Sequence, residues 1–323
     1  MRVLSRRDVV SLLSMPSCID SMRSAFQALA GKTVQAPQRT VIRMQDRLGF
    51  LGSMPVYAPG YGSAAKVMTI YPENHDLGIE SHQGHILLFG EELGDPLALI
   101  EAGSITGLRT AAVSGLATDI LAGRDASTLC ILGSGVQART HTMAIRSVRE
   151  INRIRVWSRT REHAETFAQW VEAETGILPS LCVTAEEAVN GANVICTVTA
   201  STEPIVQAEW LKQGCHINAV GSFTPSSREL STETVKRSKL FVDSRASASV
   251  EAGDILIPKQ AGAITDDHIL AELGELIIDR AEGRTHPNDI TVFKSLGLAI
   301  EDLVAAKAVY DRAVSEDVGI LVG

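Results

Sequence analysis

Between Ser127 and His141 the chain reads STLCILGSGVQARTH. A short apolar run, Leu129-Cys130-Ile131-Leu132, leads into Gly133-Ser134-Gly135. From Val136 and Gln137 the residues continue at helical spacing, with Val136, Met143 and Val148 expected on one face. Strand, glycine turn and helix are the context in which G-x-G-x-x-(G/A) becomes a dinucleotide fingerprint. Gly133 permits the tight turn, Gly135 lets the backbone approach a pyrophosphate, and Ala138 lets helix and strand pack closely. The N–H groups of the helix start then face the phosphates. An ordinary tight turn is the competing reading, and the next segment weighs against it. Ile151 to Trp157 alternates as a strand and ends at Ser158-Arg159-Thr160. An NAD site usually places Asp or Glu here, to accept from the ribose 2′-hydroxyl. This chain offers two hydroxyls and a guanidinium instead. The planar fork of Arg159 suits a 2′-phosphate, so NADPH is expected over NADH, with NADH also accommodated. A solvated arginine at a strand end is the alternative for Arg159.

Arg109 is the second feature with chemical content. It stands inside ITGLRTAAVSGLATDILA, a helix of small and apolar residues running from Ser104 to Gly123. Two readings remain for it: an arginine that snorkels to water along its apolar stem, or an anion ligand pointed into a cleft. Other candidates follow from the elements around them. Beyond Arg159, REHAETFAQWVEAET is helical, Leu181 to Val183 a strand and AEEAV a short helix. Asn193 to Thr199, His216 to Gly221 and Lys239 to Asp243 are further strands. This alternation predicts an α/β chain with a Rossmann-type doubly wound parallel sheet. Ligands in such sheets bind outside the carboxyl ends of the strands. Thr197, Val198 and Thr199, with Val220, Gly221 and Ser222, are therefore candidate cofactor contacts, though each could equally be a plain loop residue.

The first hundred residues have another texture. Ser5 with Asp8 resembles a capping box. A second helix starts at Ser14-Met15-Pro16, buries Ile19, Met22, Phe26 and Leu29, and stops at Gly31. Strands are expected over Arg39 to Met44, Leu48 to Tyr57, Ala64 to Tyr71, His85 to Phe89 and Leu97 to Glu101. Turn signals separate them, among them Gln45-Asp46, Pro59-Gly60 and Gly94-Asp95-Pro96. Consecutive strands without helices between them predict an α+β domain with an antiparallel sheet. Thr291 to Val309, TVFKSLGLAIEDLVAAKAV, is expected as one small-residue helix carrying Glu301 and Asp302. Its likeness to 104–122 suggests that it returns to the first domain.

With 323 residues, 45% of them hydrophobic, the chain can bury a core large enough for two domains. A net charge of −8 makes no electrostatic case for nucleic acid or an anionic membrane. No apolar run approaches the roughly 20 residues of a membrane span, and MRVLSRRDVV lacks the apolar core of a signal peptide. The cysteines at 18, 130, 182, 196 and 215 are scattered, without a C-x-x-C pair. They suit reduced, buried thiols in a cytoplasmic protein. His82 and His85 have no metal-ligand partners at convincing spacing, so no metal is expected.

ITGLRTAAVSGLATDIL, LCILGSGVQARTH, IRVWSRTREHAETFA, INAVGSFTPSSREL and TVFKSLGLAIEDLVAAKAVYD together resemble the ornithine cyclodeaminase/mu-crystallin family, and most closely its ketimine reductase branch. The resemblance covers nearly the whole chain. It implies a homodimer with a substrate-binding and dimerisation domain over 1–118 and 297–323, and a dinucleotide-binding domain over 119–296. It also implies a substrate site. Arg39 and Arg109 match carboxylate-binding arginines, Lys66 matches the active-site lysine, and Met54 with Ser81-His82-Gln83 matches pocket positions. These types suit an α-imino acid. Two guanidiniums hold its carboxylate bidentately, fixing the C=N carbon for hydride. A lysine whose pKa is lowered by burial and by two arginines can serve the imine nitrogen.

One departure matters. Members that cyclise ornithine carry an Asp shortly after the Val-Gly strand end, where this chain has Phe223, and no acid lies between Gly221 and Arg228. A phenyl ring exchanges no proton. The expectation is therefore an NAD(P)H-dependent ketimine reductase that converts 1-pyrroline-2-carboxylate to L-proline, with the six-membered piperideine homologue to L-pipecolate as a further substrate. The alternatives are an alanine-dehydrogenase-like or N-alkyl amino-acid dehydrogenase, then ornithine cyclodeaminase. From another class comes a crystallin-like small-molecule binding protein that retains NADPH.

Overall fold

Ser5 accepts from the N–H of Asp8 while the Asp8 carboxylate accepts from the N–H of Ser5, so the expected capping box forms. The structure, a computed structural model, describes residues 1–45 and 49–323. Strand β1 (Arg2–Leu4) precedes helices α1 (Arg6–Leu12) and α2 (Met15–Ala30). Strands β2 (Thr40–Arg43), β3 (Phe50–Ala58), β4 (Gly62–Ile70), β5 (His82–Phe89) and β6 (Pro96–Glu101) follow, and then helix α3 (Ala102–Leu121). Next come β7 (Thr128–Leu132), α4 (Val136–Val148), β8 (Arg153–Trp157), α5 (Arg161–Thr175), β9 (Ser180–Leu181), α6 (Ala185–Val189), β10 (Val194–Thr197) and β11 (His216–Ala219). The remainder is α7 (Thr232–Arg237), β12 (Lys239–Val242), α8 (Arg245–Glu251), α9 (Gly253–Gln260), β13 (Ile269–Glu272), α10 (Leu273–Ile277), β14 (Thr291–Lys294), α11 (Ala299–Ser315) and β15 (Ile320–Leu321). Part of the turn expected at Gln45-Asp46, and Leu48, the expected start of the next strand, lie outside the described residues. No helix among the described residues is long and apolar enough to cross a membrane.

The chain divides into two units, Met1–Arg109 with Leu298–Gly323, and Thr110–Gly297. The junctions thus lie at 109/110 and 297/298, where 118/119 and 296/297 were expected. In the first unit the sheet order is β15-β1-β6-β5-β4-β3-β2. Its pairs are antiparallel apart from β1 with β6. Helix α11 packs on α2 and across β3, β4 and β5. Ile19, Met22 and Phe26 of α2 are buried, as predicted, whereas Leu29 is half-buried. Burial alternates along β4, with Ala64, Lys66 and Met68 inside and Val67 outside, so one face of this strand meets the helices.

In the second unit the sheet runs β13-β12-β14-β11-β10-β7-β8-β9, with every pair parallel. Both faces of β7 are covered. Cys130 and Leu132 join one apolar cluster, and Leu129 and Ile131 join another with Phe167. This is why the run reads as continuous apolar sequence rather than an alternation. The chain reverses direction across the sheet at β7, with β8 and β9 on one side and β10 and β11 on the other.

Three expectations are corrected. Thr291 to Val309 is not one helix: Thr291–Lys294 is a fully buried central strand between β11 and β12, and α11 begins at Ala299. Gly297, at φ 82°, breaks the run between them. Helical and strand periodicity cannot be told apart over so short an apolar stretch. Helix α4 buries Ala138, His141, Thr142, Ala144 and Ile145, while Val136, expected on one face with Met143 and Val148, is 50% exposed and those two are half-buried. Apart from Ile145, its buried face is built from small and polar side chains that an apolar wheel does not register. Finally, β9 ends at Leu181, and Val183 is exposed at the entrance to α6.

Candidate functional site

The glycine turn follows from close approach. Gly133 has φ 127°, and a Cβ there would lie 2.7 Å from the Val198 carbonyl oxygen. Gly135 faces open space, so its bare backbone leaves room for a ligand. No side chain caps the first turn of α4. Gln137 Oε1 is buried there without a hydrogen-bond partner among the described residues. Uncapped N–H groups at a helix start, beside a side-chain-free glycine, are what a pyrophosphate needs. A dinucleotide therefore fits the residues present. Ser134 Oγ lies 3.0 Å from Ser158 Oγ, which brings the glycine turn to the end of β8. Arg159 is exposed beside it, and Thr160 is the N-cap of α5. Val198 donates to the Leu132 carbonyl at 2.9 Å, extending the β7–β10 pairing to the turn. Thr197 is fully buried with its hydroxyl committed to Glu229, while Thr199 and Gly221 also bond that carboxylate. Val220 and Ser222 are buried at the same strand end, and Phe223 beyond them is 37% exposed.

The predicted substrate residues gather in the first unit. Lys66 sits opposite Met54 in the β3–β4 ladder, and both face the helices. From the first turn of α11, Asp302 reaches Lys66 Nζ with Oδ2 at 2.6 Å and Arg109 Nε with Oδ1 at 3.1 Å. Its neighbour Glu301 accepts from Arg109 Nη1 at 2.8 Å. Arg109 is 5% exposed, so it does not snorkel. Two of its nitrogens are held by the chain's own acids, leaving Nη2 without a bond among the described residues. The sequence reading missed this pairing. Its only signal was two adjacent acids in an otherwise small-residue helix.

Burial lowers the Lys66 ammonium to about 8, with Asp302 opposing the fall and Arg109 and Arg39 reinforcing it. Burial alone would raise the Asp302 carboxyl, but Lys66 and Arg109 hold it below the ordinary value. Asp302 and Glu301 likewise outweigh burial at Arg109 and keep its guanidinium charged. Arg39 is half-buried immediately before β2. His82, paired with Ser81 Oγ at 2.9 Å, is lowered to about 4 by burial and then by Lys66 and Arg109, so its ring is neutral. Gln83 is exposed and donates to the Glu80 carbonyl. Such a cluster can grip an anion on fixed guanidinium edges and exchange a proton near neutral pH. Among the described residues, no group of three or more His, Cys, Asp or Glu could hold a metal ion.

Comparisons with known proteins agree over 86% or more of the chain. Residues 1–317 match the model of the ornithine cyclodeaminase/mu-crystallin family. Ketimine reductase mu-crystallin of Mus musculus is 44% identical over 279 residues, 86% of this chain and 85% of that protein. A Delta(1)-pyrroline-2-carboxylate reductase of Bacillus cereus is 36% identical over 321 residues, 99% of this chain and 98% of the relative. The Delta(1)-pyrroline-2-carboxylate reductase of Thermococcus litoralis, solved in complex with NADH and L-proline, superposes with a TM-score of 0.97 at 40% identity, covering 100% of both chains. With its parallel dinucleotide-type sheet and its buried lysine–acid–arginine cluster, the chain belongs to the ornithine cyclodeaminase/mu-crystallin family.

Proposed function

We propose that the chain is an NAD(P)H-dependent ketimine reductase that reduces a small cyclic α-imino acid, 1-pyrroline-2-carboxylate to L-proline, with the piperideine homologue as a second substrate. The observation that carries this reading is the buried Lys66 ammonium, set near neutrality beside Asp302 and Arg109. Arg39 and the free Nη2 edge of Arg109 bind the substrate carboxylate. Met54 and His82, an apolar side chain and a neutral ring, bound the same pocket. Lys66 holds its proton toward the imine nitrogen and releases it as the C=N bond becomes a single bond; Asp302 then stabilises the returning ammonium. A bound dihydronicotinamide supplies the hydride and its electron pair. Its pyrophosphate is seated by Gly133, Ser134, Gly135, Val136 and Gln137, its adenosine ribose by Ser158, Arg159 and Thr160. The strand ends Thr197–Thr199 and Val220–Ser222 seat the nicotinamide. NADPH is preferred, and NADH is used.

Cyclodeamination lacks its acid, because Phe223 occupies the place and the next carboxylate, Glu229, is buried and bonded to four donors. We also infer a homodimer working in the cytoplasm, a setting that its five buried, unpaired cysteines suit. The test is an imine panel with each cofactor. Dihydronicotinamide oxidation with pyrroline-2-carboxylate is the expected result. Oxidation only with pyruvate and ammonia, ammonia release from ornithine, or binding of NADPH without turnover would each install a different reading.

A further inference from the structure

Behind the strand ends of the parallel sheet lies a buried acid that the proposed reaction does not use. Glu229 is 0% exposed. Its Oε1 accepts from the Thr199 N–H at 2.8 Å and the Thr199 hydroxyl at 2.7 Å. Its Oε2 accepts from the Thr197 hydroxyl at 2.7 Å and the Gly221 N–H at 2.8 Å. Burial and then Asp254 push this carboxyl upward, and Lys294 and the threonine hydroxyls offset only part of that rise. With donors on both oxygens, the geometry calls for the anion, which accepts at about four positions and donates at none.

The acid is itself held from behind. The N–H groups of Glu229 and Leu230 donate to Asp254 Oδ1 at 2.8 and 2.9 Å. Asp254 Oδ2 pairs with Lys294 Nζ at 3.0 Å, and Lys294 donates to the Ser222 carbonyl. Contact at the clamp is tight: a Cβ on Gly221 would lie 2.0 Å from the Thr199 carbonyl oxygen and 2.6 Å from Glu229 Oε1. One carboxylate thus joins the ends of β10 and β11, and the ion pair behind it ties in β14. An apolar plug would cost less to bury, but it cannot fix which way these N–H groups and carbonyls point.

Topology says which part of a dinucleotide these ends would meet. The turn after β7 is the phosphate site, and β8, on one side of it, ends at Trp157, just before Ser158. On the other side β10 and then β11 follow. A cofactor laid across the crevice with its adenosine at β8 has its nicotinamide at β10 and β11. We propose that Glu229 is a positioning residue: by locking the Thr197–Thr199 and Gly221–Ser222 backbones, it shapes the seat of the nicotinamide ring without touching the cofactor. This rests on the cofactor reading above.

The test uses the whole 323-residue chain. Glu229→Gln replaces one acceptor oxygen with an amide that donates, so the backbone N–H on that oxygen loses its partner, while the threonine hydroxyl beside it can turn to accept from the amide. The variant should bind NADPH about 10-fold more weakly, the factor that one unmet buried hydrogen bond brings. It should bind 2′-phospho-ADP-ribose, which lacks the nicotinamide, as the wild type does. The deuterium isotope effect on hydride transfer should rise, because a misplaced ring slows that step. Thr197→Val removes one donor isosterically and should move the same quantities by a smaller factor; it decides the matter if Glu229→Gln does not fold. Equal losses for NADPH and the fragment, or no loss in either variant, overturn the role. A wild-type protein that binds no nicotinamide dinucleotide overturns the cofactor reading itself and this role with it.

Discussion

Lys66 Nζ stands 2.6 Å from Asp302 Oδ2, and both side chains are 2% exposed. An ammonium placed there without a counter-ion would shed its proton well below neutrality. The aspartate holds the lysine at about 8, where it can both give and take a proton. Asp302→Asn should therefore move the alkaline limb of the reductase profile downward by about one pH unit or more. It should also cost about 3–5 kcal/mol of stability, since removing one partner of a buried pair strands the others. Initial rates across pH, with a melting curve at each point, separate the two effects. A limb that stays in place while the melting temperature drops would leave Asp302 only a structural role.

Direction of reaction gives a second check on the same lysine. Reduction consumes the charged form, so imine turnover should fall as pH rises through about 8. Oxidation of the amino acid needs the neutral form as proton acceptor, so the reverse rate should climb through the same point. Measuring kcat/KM both ways should give opposed curves that cross near that pH. Two parallel curves would mean that another group carries the proton.

The site was legible in the sequence to the extent that its signals were local. Gly133 and Gly135 stand between an apolar run and a helix, and the turn needs only those neighbours. Strands β3, β4 and β5 were readable because turn signals such as Pro59-Gly60 and Gly94-Asp95-Pro96 bound them. Asp302 was visible as an acid in a small-residue helix, but its pairing with Lys66 joins residues far apart in the chain, and no spacing rule encodes that. Glu229 resembled any surface glutamate, since burial of an acid is decided by the donors that surround it. Strand β14, Thr-Val-Phe-Lys, reads as part of the following helix because four residues have no period of their own. Strands β1 and β15, of three and two residues, are too short to leave a pattern.

Cofactor preference turns on Arg159. Its guanidinium is exposed at the end of β8, beside the Ser134–Ser158 hydroxyl pair, and no acid stands there to repel a 2′-phosphate. Exposure limits what the charge contributes to about 1 kcal/mol, so Arg159→Ala should weaken NADPH roughly 5-fold and leave NADH nearly unchanged. Titrating both cofactors into the variant checks this; equal losses would place the 2′-phosphate elsewhere.

Acid sensitivity follows from histidines held neutral by burial: His82 in the first unit and two more in the second. His141 bonds Ser114 Oγ at 2.9 Å through Nε2, and His216 lies 2.9 Å from Thr291 Oγ1 and 3.2 Å from Asn218 Oδ1. Burial lowers them to about 4 and about 3 respectively. In the unfolded chain both take up protons near the ordinary value of about 6.5, while in the folded chain they resist until the lower values. The unfolded state therefore binds more protons as pH drops from about 6.5 towards 4, and stability must fall across that window. The loss should reach a few kcal/mol, at about 1.4 kcal/mol for each unit of displacement. Urea unfolding at pH 7, 6, 5 and 4 measures it. The midpoint should decline steadily, and His141→Gln, which removes one titrating ring, should flatten the slope while lowering the plateau. An unchanged slope in that variant would assign the acid loss to other groups instead, His82 and His216 or the carboxylates.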